Sequence, residues 1–156
     1  FEDHRKYALD VVQAVLAGQG GRLFLELRDK ESLAYSVSPI KMEGIDAGYF
    51  GAYIGCSPEK TQKAKDMMFA EFDKLMKTPV GEAELNRAKR YLIGRHDIDL
   101  QRTSSIATAL LFDEIYGIPA EETFKYAERI NAVTADDVKK LAQEIFGQPP
   151  IISQIG

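Results

Sequence analysis

The sequence predicts an α+β domain: an antiparallel sheet with helices packed on one face. Apolar residues recur at helical spacing through several long stretches. A different pattern, aromatic and β-branched, fills the middle of the first half and reads as a hairpin. Glycine or proline marks each change between the two. At 156 residues the chain has enough length for one domain with a real core and too little for two ordinary ones. Residues 1–156 are therefore read as a single domain.

The first helix is expected over residues 3–16, where Ala8, Val12 and Val15 form one stripe beside Leu9 and Leu16. Glycines between Gly18 and Gly21 end it. Residues 22–30 (RLFLELRDK) read as a short second helix with Leu23, Phe24 and Leu27 on one side. Residues 33–42 are compatible with a strand, and Pro39 predicts an edge or a bulge there. A turn at 43–46 leads to a return strand over 48–56 (GYFGAYIGC). Ser57-Pro58-Glu59 combines a serine cap, a first-turn proline and an acid at the positive end of the helix dipole. That helix is expected to run to about Met76, with Ala64, Met68, Phe72, Leu75 and Met76 inward.

Residues 78–81 break the pattern, and helical periodicity resumes from Glu82 to Tyr116. Such a length is unusual for one globular helix, so a kink or break is expected between Gly94 and Thr103. Shorter helices follow over 121–130 and after the cap Thr134, the latter with Asp136 and Asp137 in its first turn. Residues 151–155 (IISQI) read as a last strand. Three strands under this many helices make an underfilled sheet. The chain also opens on Phe1-Glu2-Asp3 rather than Met, so further strands are expected upstream, in a longer protein.

Charge and cysteine content narrow the function. The 20 basic and 24 acidic side chains give a net charge of −4, and the cations are interleaved with acids along helical segments. Nucleic acid is not expected as a partner, because phosphate binding needs a concentrated basic surface. The single cysteine, Cys56, allows neither an internal disulfide nor a multi-cysteine metal site. No apolar run has the length of a membrane span and no signal segment is visible, which leaves localisation open.

Catalytic constellations are missing from the residue pattern. A hydrolytic metal site needs three ligands and an open position. His4 and His96 have no helical partner at ligand spacing, and both are read as surface or satisfied histidines. Cys56 ends an apolar strand as a small hydrophobe, although the helix start at Pro58 leaves a lowered pKa open. The glycines at 18–21 follow a helix and lack the lysine of a phosphate loop. Glu82, Glu84, Glu121 and Glu122 sit in first turns, where the dipole accounts for them.

One stretch says more. Residues 20–37 (GGRLFLELRDKESLAYSV) closely resemble the signature of the second, carboxy-terminal domain of the pitrilysin/insulinase-type zinc metallopeptidases. Residues 82–89 (EAELNRAK) and 130–138 (INAVTADDV) follow in that family's order, so the resemblance covers nearly the whole chain. Gly20-Gly21 stands where many relatives carry serine or another small residue. The resemblance implies a domain that does not itself hold the inverted His-x-x-Glu-His zinc motif. It implies instead that zinc is bound by a homologous partner domain, on the same chain or on a separate subunit. This domain closes over that one and encloses a peptide substrate. The family's cross-domain arginine and tyrosine are matched by Arg28 and Tyr35, as substrate-binding and transition-state donors. Read on residue type alone, Arg28 is equally a helix-end cation and Tyr35 an ordinary strand aromatic. Arg22, also inside the signature, is expected to be structural. The chain alone is predicted to be inactive. The alternative is a non-catalytic homologous subunit, either the partner of a processing peptidase or a structural core protein.

Overall fold

The structure, a computed structural model, describes residues 3, 5–18, 20–44 and 47–155. The expectation for His4 and the centre of the 43–46 turn lie outside these residues. In chain order the elements are α1 (Arg5–Leu16), a π-helix (Phe24–Lys30), β1 (Ser36–Met42) and β2 (Tyr49–Gly55). A 3₁₀ turn (Pro58–Lys60) then opens α2 (Thr61–Lys77), followed by α3 (Glu82–Asp99), α4 (Thr103–Tyr116), α5 (Glu121–Phe124), α6 (Tyr126–Ala132) and α7 (Ala135–Phe146).

Among the described residues the sheet is a single antiparallel hairpin, running from Ser36 opposite Gly55 to Met42 opposite Tyr49. Alternation sorts its side chains. Val37, Phe50, Ala52 and Ile54 pack on the helices, whereas Ile40, Met42, Tyr49 and Tyr53 stand exposed on the other face. Pro39 lies on a free edge, as expected, but the ladder runs past it without a bulge. α1 crosses beneath the hairpin and packs on α3 and α7, while α2 packs on α7. The core sits where these helices meet: Val11, Val12, Val15 and Leu16 of α1, Leu23 and Leu27, Leu75, Ile130 and Val138 are fully buried. Each such side chain contributes roughly 1.5–3 kcal/mol relative to exposure. Phe146 ties the layers together, stacked on Phe72 at 4.3 Å and edge-on to Phe50 at 5.6 Å.

Four expectations are corrected. Ser57 does not cap: its hydroxyl donates to Glu59 at 2.6 Å, and a 3₁₀ turn intervenes before α2. Residues 22–30 are helical, but from Phe24 the helix widens to the π form. The helix expected over 121–130 is two, divided at Lys125. Residues 151–155 form no strand, and Ile151 and Ile155 are essentially fully exposed; among the described residues no strand lies beside them to share backbone hydrogen bonds. The break expected between Gly94 and Thr103 falls at Leu100–Arg102. Thr134 caps α7 with a complete capping box, its side chain accepting from the Asp137 N–H at 3.1 Å while Asp137 accepts from the Thr134 N–H at 2.8 Å.

Candidate functional site

The segment from Gly18 to Tyr35 is built as a sequence of fixed points. Gly18, at φ +71°, takes the left-handed conformation that ends α1. Gly21 is needed for close approach: a Cβ there would meet the Ala17 carbonyl oxygen at 2.1 Å. Arg22 then locks the helix start, donating from Nε and Nη2 to both carboxylate oxygens of Glu84 at 2.8 and 2.7 Å. This half-buried fork holds the guanidinium in its charged form, with the Glu84 hydrogen bond the main cause. Arg22 is structural, as expected.

Leu23 and Leu27 are buried, which turns the next residue, Arg28, outward at the last turn of the π-helix. The guanidinium lies 4.9 Å from the Phe24 ring centroid. Among the described residues no carboxylate pairs with it. Its neighbours are already engaged, Glu26 by Lys30 at 2.7 Å and Glu31 by Lys63 at 2.6 Å.

Past the π-helix the chain reverses at Ser32, at φ +50°, and the Leu33 N–H donates to the Leu27 carbonyl at 2.8 Å. Lys60 donates to the Ser32 carbonyl at 3.1 Å, so the 3₁₀ turn ahead of α2 holds this turn from outside. Leu33 and Ala34 are buried, and Tyr35, which precedes β1, turns outward. Its backbone N–H donates to the Gly55 carbonyl at 2.8 Å, while its side chain is 88% exposed. Arg28 and Tyr35 thus leave one short, well-held segment toward solvent, and no hydrogen bond or ring contact joins them. The hairpin has an exposed face of its own, with Tyr53, Ile40, Met42 and Tyr49.

Two polar clusters were not anticipated. Lys41 points inward from β1 and pairs with Asp10 of α1 and, at 2.6 Å, with Glu43; Tyr126 donates to Asp10 at 2.9 Å, and His96 stacks on Tyr126 at 4.4 Å. Asp10, Glu43, His96 and Tyr126 line part of an open cavity of about 200 Å³. Burial, then Asp10, push the Tyr126 phenol well above its ordinary range. On α2, Glu71 is buried to 3% exposure and paired with Lys74. Each cluster had a signal in the sequence. Lys41 falls on the inward register of Val37 and Pro39, and Glu71 falls on the Ala64–Leu75 stripe. A charge at a core position demands a partner.

The family profile of the peptidase M16 inactive domain matches residues 2–92, more than half of the chain. The chain belongs to that family. The signature in residues 20–37 therefore reflects true membership of the zinc peptidase group. Over 155 residues the M16 inactive domain is 31% identical to an uncharacterized zinc protease of Streptomyces coelicolor, a match covering 99% of this chain and 34% of that protein. The chain spans about a third of the length of the curated relatives it matches first. The inactive peptidase domain of a zinc protease from Bordetella parapertussis has the same fold, with TM-score 0.78 at 22% identity over 93% of this chain and 79% of that one. A peptidase M16 inactive domain from Pseudomonas fluorescens also gives TM-score 0.78, at 21% identity over 92% and 35%.

The M16 inactive domain does not offer a zinc site among its described residues, where no group of three or more His, Cys, Asp or Glu side chains is placed to hold a metal. His96 stacks on Tyr126 and the Cys56 thiol lies 3.8 Å from the Thr61 hydroxyl, and neither stands among the described residues with the two further ligands that zinc needs.

Proposed function

We propose that this domain is the substrate-closing half of a longer zinc metalloendopeptidase, supplying Arg28 and Tyr35 to a reaction centre held by a homologous domain. The observation that carries the reading is the state of those two side chains. A cation with no counter-ion among the described residues and an exposed phenol both project from a segment otherwise fixed by hydrogen bonds and buried leucines. A surface with only a structural task has no need of such a fixed pair of free donors. Membership of the M16 inactive-domain family, and relatives named zinc proteases about three times as long, support a catalytic domain elsewhere on the parent chain.

In this reading a peptide is enclosed between the two domains. Amide hydrolysis builds negative charge on the carbonyl oxygen, and a donor aimed at that oxygen is worth most once water is excluded. The Tyr35 hydroxyl is a neutral donor of the right reach. The Arg28 fork holds a peptide carbonyl and a second polar group together, which fixes the substrate as well as the charge. Because both donors come from the closing domain, closure completes the site.

The test uses the full-length parent protein, with its zinc content and peptide hydrolysis measured together. Tyr35→Phe is expected to lower kcat by on the order of 10²-fold with a smaller change in KM, the pattern of a donor that acts in the transition state. Arg28→Ala is expected to damage both parameters. Wild-type kinetics in both variants would remove the pair from the mechanism. A zinc-free parent without hydrolytic activity would favour the alternative, a non-catalytic homologous subunit.

A further inference from the structure

We propose that Phe24 is a positioning residue for Arg28, its ring face holding the guanidinium ready for a substrate carbonyl; the inference rests on the cross-domain role proposed for Arg28. The ring centroid and the guanidinium carbon are 4.9 Å apart, inside the range of a cation–π contact. Among the described residues, no ion pair or side-chain hydrogen bond orders this arginine. Glu26 is paired with Lys30 and Glu31 with Lys63, so neither nearby carboxylate is free to take it. Asp29 is the next residue along, and side chains adjacent in a helix point apart. An ion pair would also be the wrong restraint, because it would compete with the substrate for the donors. A ring contacts the flat face of the guanidinium and leaves its N–H edge open.

The π-helix gives the contact its geometry. Phe24 and Arg28 are the first and fifth residues of Phe24–Lys30, and a turn widened toward i→i+5 bonding sets residues four apart more nearly one above the other. Leu23 and Leu27 are fully buried and fix the rotation of the turn, while Lys60 holds the Ser32 carbonyl beyond it. The backbone on both sides of Arg28 is thereby settled. What remains to be restrained is the long side chain itself, which is costly in rotamer freedom when it must be immobilised only on binding.

The experiment is a mutant cycle in the full-length zinc-loaded protein with peptide hydrolysis as readout. Phe24→Leu and Phe24→Met keep apolar bulk and remove the ring face; Phe24→Tyr keeps the face. The two aliphatic variants are expected to lose about two- to fivefold in kcat/KM, the size of an exposed cation–π contact. Phe24→Tyr should stay at the wild-type value, and neither aliphatic change should cost anything further once Arg28→Ala is in place. Wild-type kcat/KM in both aliphatic variants, beside a depressed Arg28→Ala, would overturn the positioning role while leaving Arg28 its own. An equal loss from Phe24→Leu in the presence and absence of Arg28 would also overturn it, because the ring would then act through packing. Wild-type activity of Arg28→Ala itself would overturn the parent reading and this inference together.

Discussion

Two arginines of the signature are held in opposite ways, and their substitutions should separate cleanly. Arg22 makes a bidentate, half-buried pair with Glu84, so Arg22→Lys, which keeps the charge and loses the fork, should cost about 1–2 kcal/mol in urea unfolding. Arg28 is exposed and touches one ring, so Arg28→Ala should leave stability within about 0.5 kcal/mol while it damages catalysis in the parent protein. Equal effects of the two on unfolding would deny the division of labour. Gly21→Ala belongs with Arg22, since its Cβ collides with backbone at Ala17, and a loss of more than about 1 kcal/mol is expected in the same assay. At this scale the sequence was legible where a known order of residues repeats, as in the signature of residues 20–37. The Lys41–Asp10–Tyr126 cluster was not, because its members come from β1, α1 and α6 and nothing local announces that they meet.

Elements were legible to the degree that their signals are local. Thr134 was read as a cap and caps: hydroxyl, Asp137 carboxylate and two backbone N–H groups lie within four consecutive residues, and nothing distant is involved. Thr134→Ala should therefore cost about 1 kcal/mol of stability by denaturant titration. The Thr134 hydroxyl and backbone N–H hold the Asp137 carboxyl below its usual range. Their stabilisation is thus complete above the unfolded value of about 4 and fades as pH falls through the lower folded one. In the variant the acid-side decline should be shallower; an unchanged decline would mean that the box is not the source. Ser57 looked equally good and failed: its hydroxyl donates to Glu59, and no helix N–H donates to it. The last strand failed for a different reason. Residues 151–155 have the composition of a strand, but a strand exists only by its neighbour's hydrogen bonds, and among the described residues none is alongside. The π form of residues 24–30 was likewise beyond pattern reading, because RLFLELRDK carries ordinary helical spacing.

For the whole molecule, periodicity sufficed to give the fold class: helical stripes and one alternating hairpin leave little besides a sheet with helices on one face. How the layers are locked was not visible, and there the polar cluster between hairpin and helices makes a molecule-wide prediction. Lys41 bridges β1 to α1, and Tyr126 bridges α6 to α1 through the same Asp10. Burial raises the Tyr126 phenol above its ordinary range, and Asp10 raises it further. Burial alone would push the Lys41 ammonium down, but Asp10 and Glu43 outweigh it and the net direction is up. Tyr7, edge-on to Tyr126 at 6.0 Å, is also raised, chiefly by burial. All three groups keep their protons in the folded state to higher pH than in the unfolded chain. Stability from them is fully present below the unfolded values near 10, and it falls as pH rises through the folded ones, by up to about 1.4 kcal/mol per pH unit for each proton held. The interface between sheet and helices should therefore loosen on the alkaline side first. Tyr126→Phe removes the largest of these shifts without removing the Lys41–Asp10 pair. Urea unfolding between pH 8 and 11 should give a steep alkaline decline for the wild type and a shallower one for Tyr126→Phe. Parallel declines would mean that the phenol is already as free to ionise in the folded state as in the unfolded chain, and that the cluster does not lock the layers in the way its geometry implies.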